Sequence, residues 1–74
     1  MFRIELYEKP LGPQQTQRLV EDNVSEVAER PDAVAYINDH IARYDHSGHD
    51  DRQDFWWCRN EGDEVVKILV IRAN

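Results

Sequence analysis

The chain has 74 residues, the length of one small domain that buries only about 60% of the surface exposed by its unfolded form. An apolar fraction of 41% is enough for a globular core and argues against intrinsic disorder. The 15 acidic and 9 basic residues give a formal charge of −6, which argues against nucleic acid as a partner, since attraction to phosphates needs a surplus of Lys and Arg.

The N-terminal sequence and the single cysteine indicate a cytoplasmic protein. Cys58 has no second cysteine with which to form an intramolecular disulfide. Met1 is followed by alternating apolar and charged residues, which do not resemble a signal peptide. No apolar run approaches the length of about 20 residues that spans a bilayer, so we expect neither a membrane span nor a membrane partner.

The first part of the chain predicts a β-hairpin. Residues 2–7 alternate between apolar and polar side chains, which is the period of a strand with one buried face. The two prolines and the glycine within residues 9–13 predict a turn. A weaker alternation over residues 14–21 predicts a second strand at the sheet edge, and residues 22–30 predict only short regular structure.

One amphipathic helix is predicted after Pro31. An apolar stripe recurs there at steps of three and four residues: Val34, Ile37, Ile41 and Tyr44. We expect the helix to run from Asp32 to Tyr44 or Asp45. Pro31 suits its first turn, where the missing N–H has no intrahelical partner to lose.

The second half of the chain predicts a loop followed by a second hairpin. Residues 45–54 contain no aliphatic side chain, and they predict a solvated loop in which Gly48 ends the helical region. Strand character returns at residues 54–59 and again at residues 65–71. The short polar connection between these two runs predicts that the strands are antiparallel neighbours.

Residues 65–71 predict the central strand of the sheet, because they carry apolar side chains on both faces. These divide into Val65, Leu69 and Ile71 on one face and Val66, Ile68 and Val70 on the other. The chain, residues 1–74, therefore predicts a single α+β domain: a small two-layer sandwich with one amphipathic helix on a four-stranded, mainly antiparallel sheet, in the order β-β-α-β-β. One helix covers only one of the two faces.

Aromatic residues indicate that the second face binds protein. Trp56 and Trp57 are adjacent in a strand, so one should enter the helix-covered core while the other lies on the opposite face. Aromatic-rich apolar surface usually marks an interface, so we predict homodimerisation or binding of another protein there. The predicted partner-binding residues are Tyr7, Phe55, Trp56 and Trp57. The alternative is that residues 10–13 and 22–30 fold over this face and bury it.

The three histidines lie close together in the sequence among several aspartates, a composition that suits zinc or another divalent metal. The metal-binding alternative uses His46, His49 and Asp50 in the loop 45–51. We favour the other interpretation, in which these histidines cap the helix end or meet water.

No catalytic motif is present in the sequence. It contains no Gly-x-Ser-x-Gly, no phosphate-binding glycine loop and no Cys-x-x-Cys. Cys58 lies within a strand between Trp57 and Arg59, which predicts a packed, inert thiol. We therefore expect a non-enzymatic function, with zinc as the one cofactor alternative. The acidic composition leaves a further alternative, an inhibitor that mimics nucleic acid.

Overall fold

The computed structural model describes residues 1–12 and 16–74, which form one helix and a five-stranded antiparallel sheet. The elements in chain order are β1 (Phe2–Pro10), β2 (Arg18–Val27), α1 (Arg30–Ile41), β3 (His46–Asp50), β4 (Phe55–Arg59) and β5 (Val65–Ala73). Across the sheet the order is β2-β1-β5-β4-β3, and every neighbouring pair is antiparallel. No helix in the described ranges is long and apolar enough to cross a membrane.

The predicted four-stranded sheet in the order β-β-α-β-β is wrong, because the stretch predicted as a solvated loop contains β3. β3 pairs with β4 from His46 opposite Arg59 to Asp50 opposite Phe55. Its side chains do not alternate between apolar and polar, so the sequence carries no hydrophobic signal for it; its pairing depends on backbone hydrogen bonds. Gly48, predicted to end the helical region, lies in the middle of this strand.

The first hairpin is confirmed, but β2 runs over Arg18–Val27 rather than over residues 14–21. Residues 14 and 15 of that prediction lie outside the described residues. The pairing with β1 shifts register on both sides of Leu6, where β2 carries extra residues. These irregularities interrupt the alternation of side chains, so a simple period-two pattern does not mark the strand.

α1 begins and ends earlier than predicted, at Arg30 and Ile41. Its first turn forms ahead of Asp32, because the backbone N–H groups of Asp32 and Ala33 both donate to the carbonyl oxygen of Glu29. Tyr44, the last residue of the predicted stripe, lies beyond the helix but still packs against the core.

The core lies between α1 and one face of the sheet. The buried residues that form it are Ile4, Trp56, Cys58 and Leu69 from the sheet, and Ala33, Ile37 and Ile41 from the helix. β5 is the middle strand of five, which confirms that residues 65–71 form the central strand. The alternation along β5 places its even-numbered residues on the other face, where the candidate site lies.

Candidate protein-binding groove

The sheet face opposite α1, called here the open face, carries the outward side chains of β1, β5 and β4. The register places Tyr7 and Trp57 on either side of Ile68, and Lys9 beside Val66. Trp56 points the other way into the core and is only 4% exposed. The prediction that the two adjacent tryptophans face opposite ways is therefore confirmed.

One half of the open face forms an apolar groove of about 280 Å³. It is lined by Lys9, Leu11, Phe55, Trp57, Arg59, Val66 and Ile68. Ile68 is only 5% exposed although it lies away from the helix, so its neighbours on the open face bury it. Leu11 is 49% exposed at the rim. The groove thus combines a buried aliphatic base with aromatic and aliphatic side chains that solvent can reach.

Gly48 determines where Trp57 lies. The two residues pair across β3 and β4. A Cβ atom at Gly48 would lie 2.8 Å from Nε1 of the Trp57 indole, which is shorter than Cβ contacts in real proteins. Only glycine lets the indole lie this close to the β3 backbone. The polar edge strand therefore helps to shape the groove.

We expect Gly48→Ala to displace the Trp57 indole and to lower the free energy of unfolding by about 1–3 kcal/mol, because the added methyl group overlaps the ring. Tryptophan fluorescence and urea denaturation measure the two effects. Gly12→Ala is the matched control, since a Cβ there meets no described atom within 4 Å. Fluorescence and stability unchanged from the wild type in Gly48→Ala would show that Gly48 does not position the indole.

The other half of the open face is a charged network centred on Glu5. Nε of Arg72 and the Tyr7 hydroxyl donate to Glu5 Oε1 at 2.8 and 3.0 Å, and Nη2 of Arg3 lies 3.2 Å from Oε2. Burial is the largest single influence and would raise the pKa of Glu5. The hydrogen bonds from Arg72 and Tyr7, with the charges of Arg72 and Arg3, outweigh it and lower that pKa. This half of the open face therefore carries charges that are already paired with each other.

The four predicted partner-binding residues divide between the two faces of the sheet. Phe55 and Trp57 line the groove. Tyr7 lies beside it on the open face, with its hydroxyl bonded to Glu5. Trp56 lies in the core, where the His49 ring stacks on it with centroids 4.3 Å apart, so it does not reach the groove.

Three groove residues were not predicted from the sequence: Lys9, Leu11 and Arg59. Lys9 and Leu11 share the parity of Tyr7, and Arg59 shares that of Trp57, so the alternation of side chains was the signal that could have found them. On β1 this alternation was not followed past Tyr7, because the prolines of residues 9–13 predict a turn there. The strand in fact continues to Pro10.

The predicted metal ligands do not converge in the structure. His46 and His49 are an odd number of positions apart on β3, so they point to opposite faces. The Asp50 carboxylate accepts backbone N–H groups of the following turn. Among the described residues, no group of three or more His, Cys, Asp and Glu is arranged to hold a metal ion. Zinc binding therefore stays the less favoured alternative, and a rise in melting temperature on adding zinc would support it.

His49 is held between two carboxylates. Its Nδ1 lies 3.0 Å from Asp51 Oδ1 and its Nε2 lies 3.0 Å from Asp54 Oδ1. The contact between Nε2 and Asp54 is a hydrogen bond, in which the ring nitrogen donates because a carboxylate only accepts. The hydrogen bond from His49 lowers the pKa of Asp54, and Arg30, 2.7 Å from the same carboxylate, adds to the effect. These contacts stabilise the turn between β3 and β4. They therefore also stabilise β3, whose Gly48 positions Trp57.

Cys58 is fully buried beneath α1, and burial raises the pKa of its thiol to about 11. The thiolate is the reactive form, so little of it is present at neutral pH and reagents do not reach it. We expect a colorimetric thiol reagent to label Cys58 only as the protein unfolds, with a rate that rises with urea concentration. Rapid, complete labelling in native buffer would contradict this expectation.

The segments considered as a cover for the open face do not close over the groove. Residues 22–27 belong to β2 at the edge of the sheet. Of residues 10–13, Leu11 lies at the groove rim and Gly12 is exposed, while Pro13 lies outside the described residues. The described residues of these segments therefore do not cover the groove, and of them only Leu11 lines it.

Comparisons with known proteins give no family for this chain. No protein-family model, no curated protein and no solved structure matches it.

Proposed function

We propose that this protein is a cytoplasmic, non-enzymatic binding module that uses the groove to bind another protein or a second copy of itself. The observation that carries the proposal is the groove itself, an apolar surface built by three strands on the sheet face that α1 leaves uncovered. Apolar surface of this kind is typical of protein interfaces, whose central residues are enriched in aromatic side chains and arginine.

The groove has a size that suits side chains of a partner protein. Its volume of about 280 Å³ falls just below the roughly 300–1,000 Å³ of ordinary ligand pockets. A groove of this size suits one or two anchoring side chains of a partner. Trp57 is the expected centre of the interaction, because tryptophan is among the residues that contribute most to binding energy at interfaces.

The ionisable groups of the groove support binding rather than catalysis. Among the described lining residues these groups are Lys9 and Arg59, both cations, with no carboxylate, imidazole or thiol beside them. Cys58 lies on the other face of the sheet. The described lining therefore offers no carboxylate or imidazole as a general base and no thiol as a nucleophile.

Selection from a random peptide library displayed on phage tests the proposal on the intact chain. We expect selected peptides to bind the wild type and to lose about tenfold or more in affinity against Trp57→Ala, since truncating a central interface tryptophan costs upward of roughly 1–2 kcal/mol. Tyr36→Ala is the matched control, because Tyr36 is an exposed aromatic on α1. If no selected peptide depends on Trp57, the proposal is wrong.

Sedimentation velocity separates the two kinds of partner. A dimer that forms with rising concentration and is weakened by Trp57→Ala would identify a second copy as the ligand. A strict monomer at high micromolar concentration would exclude self-association and leave another protein as the ligand.

A further inference from the structure

We infer that the occupant of the groove is a segment of another protein that carries carboxylates beside a large apolar side chain. The inference rests on the proposed function and names the chemistry of the partner. It is carried by two cations that lie in the groove without a carboxylate partner, Lys9 and Arg59.

The two cations flank the same residue of the central strand. Lys9 lies opposite Val66 on β1. On β4, Cys58 lies opposite Lys67 of β5. The strands are antiparallel, so the next residue, Arg59, lies beside Val66 on the side away from Lys9. Two strand spacings separate the backbones of Lys9 and Arg59, about 10 Å in all. Two carboxylates in one short segment can therefore reach Lys9 and Arg59 at the same time. An apolar side chain of the same segment can then enter the groove between these two cations and Trp57.

The two groove cations lack the carboxylate partner that most arginines of this acidic protein have. The arginines paired with carboxylates are Arg3, Arg18, Arg30, Arg43 and Arg72. Neither Lys9 nor Arg59 lies within 4.0 Å of a carboxylate among the described residues, although the chain has 15 acidic residues for 9 basic ones. Among the described residues, Arg52 in an exposed turn and Lys67 also lack such a pair, but Lys67 donates to the Tyr44 hydroxyl on the helix side of the molecule and neither residue lines the groove. The groove thus presents positive charge beside its apolar surface, which favours acidic partners.

The same charges argue against a second copy as the occupant. Two copies related by a two-fold axis would present the same surface to each other. The cations Lys9 and Arg59 of one copy would therefore face the same cations of the other. No carboxylate lines the groove to compensate.

The random peptide selection on the intact chain also tests this inference. We expect selected peptides to be enriched in Asp and Glu next to Leu, Phe or Trp. Their affinity should fall about tenfold in the double variant Lys9→Gln/Arg59→Gln, through loss of two charge-assisted contacts, and should fall with added salt. Arg43→Gln/Arg52→Gln is the matched control, because it removes two exposed cations outside the groove.

Charge reversal gives a second test. Selection against Lys9→Glu/Arg59→Glu should enrich Lys and Arg instead; if melting shows that this variant does not fold, the single reversals replace it. Trp57-dependent peptides without acidic enrichment, or with affinity unchanged by the glutamine variant, would overturn this inference and leave the proposed function intact. A set without any Trp57-dependent peptide would overturn both.

Discussion

Trp56→Ala is expected to lower the free energy of unfolding by about 3–5 kcal/mol, because it empties the space of a large buried side chain. Trp56 is 4% exposed and packs in the core beneath α1. A domain of this size has a total stability of only about 3–5 kcal/mol from its core, so the variant should be largely unfolded at 25 °C. Trp57→Ala, one position along, should cost only about 1–2 kcal/mol, because its half-buried indole lies on the open face.

Urea denaturation followed by far-UV circular dichroism measures both variants. Trp56→Phe is the conservative control, since it keeps an aromatic ring in the core and should recover much of the stability. A larger loss for Trp57→Ala than for Trp56→Ala would contradict the assignment of the two tryptophans to core and groove.

Glu5→Gln is expected to lower stability by about 1–3 kcal/mol at neutral pH, because it removes the charge that pairs with Arg72 and Arg3 in a nearly buried position. Glu5 itself is only 7% exposed. Glu8→Gln is the matched control: its partner Arg18 is mostly exposed, and such pairs contribute less than about 1 kcal/mol.

The same network predicts a specific acid sensitivity. The pKa of Glu5 is lower in the folded protein than its ordinary value of 4.5, so the unfolded chain binds the proton more readily. The stability that Glu5 provides is therefore fully present above pH 4.5 and is lost as the pH falls through the lower folded value. Because glutamine does not titrate, the stability difference between wild type and Glu5→Gln should narrow below pH 4.5. A difference that stays constant across this range would show that Glu5 is not the titrating group.

The parts of the fold with strong hydrophobic patterns could be predicted from the sequence. The alternation in β1, the apolar stripe of α1 and the two-faced run of β5 each reflect burial against a neighbouring layer. β3 could not be predicted, since its five residues are polar or glycine and its pairing uses the backbone. β2 was misplaced because its extra residues opposite β1 break the period of two.

The candidate site could be predicted only in part, for similar reasons. Opposite faces for Trp56 and Trp57 follow from strand geometry alone, but which one is buried depends on where the helix lies. Trp56 therefore stayed among the predicted partner-binding residues although it packs in the core. The pairing of Gly48 with Trp57 needed the unpredicted strand, and Lys9 and Leu11 were hidden by the prolines around them.

An NMR titration of the ¹⁵N-labelled chain with a selected peptide is the most direct test of the groove as a protein-binding surface. The two tryptophans give two indole N–H signals, one from the groove and one from the core. We predict that the Trp57 signal and the backbone amides around Val66 and Ile68 shift on binding, while the Trp56 signal moves little. Shifts confined to α1 or to the edge strand β2, with an unchanged Trp57 signal, would contradict the account.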